Sequence, residues 1–246
     1  MPLIRTLYKI LLLIVIIILG MIMVTLLLRN TMPTQGAGSR LAQLWHRSVL
    51  AVLGVELKVS GNRENANVLF IPNHITWLDI SVLGSLIPTH FLSKIEVKNW
   101  PVIGYLATRA GTLYLERGYH HATAASNRTM QKALEQKHNV VLFAEGTTTE
   151  GSPRKFHGRL MQSAIDANSL VQPVAIFYPD ETGHSINRNI LYIDEMHFLR
   201  SAFTILGLKK ITAEIHFLKP VSAAGKTRNE LARYCHDRVI EIFNNK

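Results

Sequence analysis

The chain has 246 residues, with 27 Lys and Arg against 17 Asp and Glu, a formal charge of +10, and 48 % hydrophobic residues. That size accommodates one large domain plus a membrane segment, and the excess of positive charge points to an anionic partner, either a lipid surface or nucleic acid. The single cysteine, Cys235, excludes an intrachain disulfide, and nothing beside it in RYCHDRVIEIF completes a metal site.

Residues 10–28, ILLLIVIIILGMIMVTLLL, carry no charge, with Arg5 and Lys9 before them and Arg29 after. At about 1.5 Å per residue the run reaches roughly 28 Å, close to a bilayer core of about 30 Å. A secretory signal peptide has the same charge order, but its apolar stretch is usually only about 7–15 residues. GAGS at 36–39 offers small residues for cleavage. A retained membrane helix is therefore expected, with the signal peptide as its rival. Basic residues flank both ends, and the positive-inside rule leans toward a cytoplasmic domain.

TMPTQGAGS at 31–39 is a polar break. Beyond it Leu41, Leu44, Trp45, Val49, Val52 and Leu53 recur at helical spacing beside Arg40 and Arg47. Two readings fit: a basic amphipathic helix in the headgroup layer, or a helix facing the core of the soluble domain. Residues 1–54 are read as anchor and interfacial helix, and 55–246 as the main domain.

From residue 55 onward, short apolar strands alternate with helical segments. VELKVS, NVLFIP, HFLSK, TLYLER, NVVLFAEG and LVQPVAIFY read as strands, and ITAEIHFLKPVS closes the sheet region. WLDISVLGSL, PVIGYLATRA, HHATAASNRTMQKALEQK, GRLMQSAIDAN and KTRNELARYCHDRVIEIFNN read as helices. This alternation predicts an α/β fold, a mixed and largely parallel sheet flanked by helices. Ligands of such sheets sit at the carboxyl ends of the strands. NHITWLD at 73–79, the Glu116–Arg117 pair and the loop at 144–149 all fall just past strand ends.

His74 and Asp79 lie five positions apart. On one regular helix they would differ by about 140° and could not meet. With His74 in the turn and Asp79 in the first helical turn, the carboxylate can reach the imidazole, fix its tautomer and stabilise its protonated form. That arrangement suits a general base acting on a hydroxyl, although Asp79 also suits a plain helix-start residue. No serine stands in a G-x-S-x-G context, so direct attack by a substrate hydroxyl fits better than a covalent acyl-enzyme. Arg117 and Lys94 at strand ends can grip a phosphate, or pair with Glu116 and solvent. The Ala144–Thr149 loop is rich in donors and can cradle an anion, without the spacing of a nucleotide-binding P-loop.

NH with Asp79 five residues after the histidine, GTLYLERG, FAEGT and VQPVAI occur in the order of the four sequence blocks of the glycerolipid acyltransferases. The chain resembles the 1-acylglycerol-3-phosphate (lysophosphatidate) acyltransferases most. The resemblance implies transfer of a fatty acyl group from acyl-CoA or acyl carrier protein to the free hydroxyl of a lysophospholipid, at a membrane and with no further cofactor or metal. It implies His74 as base and Asp79 as its partner, and Gly111, Arg117, Glu145, Gly146 and Thr147 as acceptor-site residues. Lys94 becomes a further phosphate contact, and Pro173 an acyl-donor or structural residue.

Two positions depart from the family pattern, Ala144 where proline is usual and Thr148 where arginine is usual. Arg154 or Lys155 could replace that arginine. FAEGTT also resembles relatives that acylate lyso-ornithine lipids, so lysophosphatidate is expected with lyso-ornithine lipid as the alternative. A non-catalytic lipid-binding scaffold and a thioesterase using water are the rivals from other classes. Nucleic-acid binding rests on charge alone, with no recognition motif to support it.

Overall fold

A computed structural model describes residues 2–27, 34–115, 120–193 and 197–245. Eight strands form one sheet: β1 (Val55–Gly61), β2 (Val68–Pro72), β3 (Thr89–Lys94), β4 (Leu113–Leu115), β5 (Asn139–Val141), β6 (Leu170–Phe177), β7 (Ile211–Phe217) and β8 (Val221–Ser222). Their order is β1-β7-β6-β2-β5-β3-β4, with β8 also on β6. Among the described strands, β6 pairs antiparallel with β7 and β8, and the other neighbours run parallel. The mixed, largely parallel sheet read from the alternation is the one observed.

Strand chemistry sets the layers. Every residue of β2 is buried, as both faces of a central parallel strand must be. Val68 and Phe70 enter one core, Leu69 and Ile71 the other. The first core is closed by α2 (Gly36–Leu53), α3 (Leu78–Leu86) and α7 (Phe198–Gly207), through Leu50, Leu53, Val82, Leu83 and Ile205. The second is closed by α5 (His120–Glu135), α6 (Gln162–Asp166) and α8 (Arg228–Asn244), through Met130, Leu134, Ala164, Leu231 and Val239. Cys235 lies in this second core, where burial pushes its thiol up, so it is a packed side chain rather than a ligand. A capping box between Thr227 and Glu230 starts α8.

Most of the expected elements are present with shifted ends. The apolar run belongs to α1 (Pro2–Ile22), which begins eight residues earlier than the run and continues as a π-helical turn, Met23–Leu27. The segment expected as one helix at 158–168 is a 3-10 turn, Gly158–Met161, followed by α6. A second 3-10 turn, Ile95–Asn99, precedes α4 (Ile103–Arg109). β5 stops at Val141 because the chain turns there, with Gly146 N–H donating to Phe143 O. α7 was not expected from the sequence at all.

α1 packs along the domain by one face. Lys9 Nζ donates to Leu53 O and Leu208 O, each at 2.8 Å, and Arg5 donates to Gly207 O. These cations satisfy carbonyls at or just past the carboxyl ends of α2 and α7, where the helix dipole favours positive charge. Farther along, Trp45 Nε1 donates to Ile16 O at 2.9 Å and Thr25 Oγ1 meets Tyr105 OH at 2.8 Å. The opposite face leaves Leu7, Leu11, Ile18 and Ile22 exposed. Of the two readings of α2, the core-facing one is observed: Val49, Leu50 and Leu53 face the core, and Trp45 packs on α1. At Gly20 an added Cβ would collide with the Trp45 indole nitrogen. Gly20→Val is expected to cost about 1–3 kcal/mol by overpacking, read as a lower Tm in detergent. An unchanged Tm would mean that α1 is not docked at this point.

Candidate active site

The carboxyl ends of β2, β5 and β6 meet at one edge of the sheet, and the site is built from the loops that leave them. Asn73, just past β2, lies fully buried and completes the strand pairing with its side chain. Its Oδ1 accepts from Ile176 N at 2.8 Å, and its Nδ2 donates to Ile176 O at 3.0 Å. The main chain is thereby freed to turn. Thr149 N and Oγ1 then donate to His74 O, at 2.9 and 3.2 Å.

Asp79 stands in the first turn of α3 and His74 in the turn before it, the arrangement that lets residues five apart meet. His74 Nδ1 donates to Asp79 Oδ2 at 2.8 Å. The same oxygen accepts from Ile75 N at 2.8 Å and Thr76 N at 3.0 Å. Oδ1 accepts the hydroxyl of Tyr178 at 2.7 Å. Asp79 is inaccessible to solvent, while 18 % of the His74 side chain is exposed. The ring stacks on Phe143 with centroids 3.8 Å apart. With Nδ1 engaged, Nε2 is the nitrogen left for an incoming hydroxyl, which is the geometry a general base requires.

Glu145 is turned inward. Its Oε2 accepts from His74 N at 2.7 Å and its Oε1 from Arg154 N at 2.8 Å, so both oxygens are occupied by the main chain. Burial pushes its carboxyl up to about 8; the Arg154 and His74 N–H groups work against that rise, the Asp79 charge adds to it and the Arg154 charge opposes it. The glutamate expected among the acceptor contacts thus ties the 145–154 loop to the backbone of His74. Gly146 is exposed with φ +74, a conformation that favours glycine, and nothing crowds its Cβ position. Thr147 is partly exposed beside it. Thr148 is buried and donates its hydroxyl to Tyr192 O. Arg154 and Lys155 are exposed a few residues farther on.

The remaining expected residues lie in other surroundings. Gly111 (φ +79) closes α4, and its carbonyl accepts His90 Nδ1–H at 2.7 Å. Lys94, exposed at the end of β3, pairs in register with Leu115, two residues before Arg117. Arg117 and Glu116 themselves lie outside the described residues. Pro173 is buried in mid-strand opposite Ile71 and is three residues upstream of the Asn73 contact, a structural position. Three participants had no signal in the sequence that was read: Tyr178, Phe143 and Trp77. Trp77 Nε1 donates to Ser201 Oγ of α7 at 3.1 Å, and its ring meets Phe198 edge-on. An aromatic residue closing a strand that ends at the site was the available cue for Phe143 and Tyr178.

His74 and Asp79 thus form a histidine–carboxylate pair at the carboxyl ends of the strands of an α/β sheet. Residues 55–177 match the family model described as Acyltransferase. The chain is 38 % identical over 201 residues to a lyso-ornithine lipid O-acyltransferase of Pseudomonas aeruginosa, covering 81 % of this chain and 77 % of that one. It is 36 % identical over 181 residues to a 1-acyl-sn-glycerol-3-phosphate acyltransferase of Neisseria meningitidis, covering 72 % and 70 %. The crystal structure of the 1-acyl-sn-glycerophosphate acyltransferase PlsC of Thermotoga maritima shares the fold, with a TM-score of 0.70 over 98 % of this chain and 95 % of that one, at 17 % identity. The chain belongs to the acyltransferase family and is an O-acyltransferase.

Glu145 supplies a sign-defined prediction. Its folded-state value lies above the ordinary 4.5, so its contribution to stability is complete below about 4.5 and is lost as pH rises toward about 8. Tm is expected to fall between pH 5 and 8.5, with a shallower slope in Glu145→Gln. Parallel curves for the two proteins would contradict it.

Proposed function

We propose that the enzyme transfers a fatty acyl group from a thioester of coenzyme A or acyl carrier protein to the free hydroxyl of a lysolipid, with His74 as general base. The observation that carries this reading is the 2.8 Å contact between His74 Nδ1 and a fully buried Asp79 carboxylate, with the ring itself partly open. His74 Nε2 takes the proton of the lysolipid hydroxyl as its oxygen attacks the thioester carbonyl. Asp79 stabilises the imidazolium that forms. Collapse of the tetrahedral intermediate breaks the carbon–sulfur bond, and the imidazolium returns its proton to the departing thiolate. No covalent enzyme intermediate is required.

The acceptor is a lysolipid of one of the two kinds named for the relatives, lysophosphatidate or lyso-ornithine lipid. One observation favours the second. Thr148, where the family pattern has an arginine, is only 8 % exposed and spends its hydroxyl on Tyr192 O. A cation for a phosphomonoester is therefore missing from that position, and a headgroup without one loses nothing there. Arg154 and Lys155 are the side chains that keep lysophosphatidate as the competing reading.

The exposed apolar face of α1 seats the enzyme in lipid, and the net charge of +10 draws the domain to an anionic surface. The catalytic domain then works on the cytoplasmic face, where both acyl thioesters reside. Anionic donors, carrier protein among them, are attracted by the same charge.

The test uses purified protein with a labelled acyl thioester and a panel of lysolipids. Wild type is expected to acylate lyso-ornithine lipid in preference to lysophosphatidate, and His74→Ala to lose about 10²–10⁴-fold of the rate. Preference for lysophosphatidate reverses the acceptor assignment. Thiol release without acylated lipid makes the protein a thioesterase, and full activity in His74→Ala removes the base.

A further inference from the structure

We propose that Tyr178 is a positioning residue for the His74–Asp79 pair, its buried hydroxyl setting both the orientation and the charge distribution of the Asp79 carboxylate. This rests on the reading of His74 as general base.

Tyr178 directly follows β6 and lies 99 residues from Asp79 in sequence. It is fully buried in the first core, and its backbone carbonyl accepts from Asn187 N at 2.9 Å. The ring is packed in the core and the backbone is held by Asn187, so the hydroxyl has a fixed direction. At 2.7 Å the hydroxyl meets Oδ1, the one carboxylate oxygen that neither His74 nor the loop amides contact. Burial and the adjacent Asp79 charge hold the phenol well above its usual range, so it remains a donor throughout the working pH.

The division of labour follows from the chemistry of a buried carboxylate, which needs a partner on each oxygen. Three donors on Oδ2 and none on Oδ1 would leave a desolvated oxygen facing a hydrophobic core. The Tyr178 hydroxyl satisfies it, and this stops the carboxylate from rotating Oδ2 away from the imidazole. A short O–H···O⁻ bond also draws charge toward Oδ1, which weakens the hold of Oδ2 on the imidazolium. Removing the phenolic donor concentrates charge on Oδ2, and more base is then needed to free His74. Among the described residues, Glu145 is bonded to His74 N and to Arg154 N, and Tyr192 N to Ile75 O; none of these groups is bonded to Tyr178.

The experiment compares wild type, Tyr178→Phe and protein carrying 3-fluorotyrosine at position 178, with Tm recorded for each. Tyr178→Phe is expected to lower kcat about 3–30-fold with little change in KM, and to move the acid limb of kcat/KM to higher pH. Fluorotyrosine, a stronger donor of nearly the same shape, is expected to move that limb to lower pH without loss of stability. A lower Tm with the limb unmoved in both proteins assigns Tyr178 a packing role only and overturns the proposal. His74→Ala separates the two readings: if it is inactive while the limb is unmoved, only Tyr178 is misassigned; if it is active, the base reading has failed.

Discussion

A carboxylate with no access to solvent is the constraint around which this site is arranged. Asp79 carries its charge among apolar side chains, and a buried charge is tolerated only where charge and hydrogen bonds compensate it. Four donors do so here: the His74 ring, two amides of the loop and the Tyr178 hydroxyl. Three come from the 74–76 turn and one from the residue after β6, so the bonds that satisfy the charge also tie together the turn after β2, the start of α3 and the end of β6. The catalytic geometry and the solvation of one buried ion are the same set of contacts.

A second set of contacts keeps the turn itself in place. Asn73 substitutes its amide for the next rung of the β2–β6 ladder, and Glu145 and Thr149 bind the N–H and the carbonyl of His74. The backbone of His74 is thus tied to three strand ends while its ring rests on Phe143. Such support lets a partly exposed imidazole keep one orientation, which proton transfer demands. α7 extends the support toward the membrane helix, since it binds Trp77 through Ser201 near one end and receives Arg5 at Gly207 at the other.

What the sequence revealed follows from range. NHITWLD could be read because the turn and the helix start lie within seven residues, and helical geometry alone decided how His74 and Asp79 could meet. The strands and the parallel sheet were readable from their apolar runs. Tyr178 was not, because its partner is 99 residues away and nothing in LVQPVAIFY distinguishes a hydrogen-bonded phenol from a packed one. Glu145 entered as an acceptor-site residue through the family resemblance alone; its partners, 71 and 9 residues away, come from the fold. α7 went unread because FLRSAFTILG follows a polar loop, and its purpose is set by Trp77 and α1 rather than by its own pattern.

The central claim is that His74 presents Nε2 as a base because Asp79 holds the proton on Nδ1. The measurement that bears on it most directly is the 15N spectrum of the histidine rings in labelled protein at alkaline pH, with His74 assigned by its loss in His74→Gln. A pyrrole-type Nδ1 bearing the proton and a pyridine-type Nε2 is the predicted result. A protonated Nε2 with a bare Nδ1 would contradict the account, because the nitrogen that must accept the hydroxyl proton would already carry one.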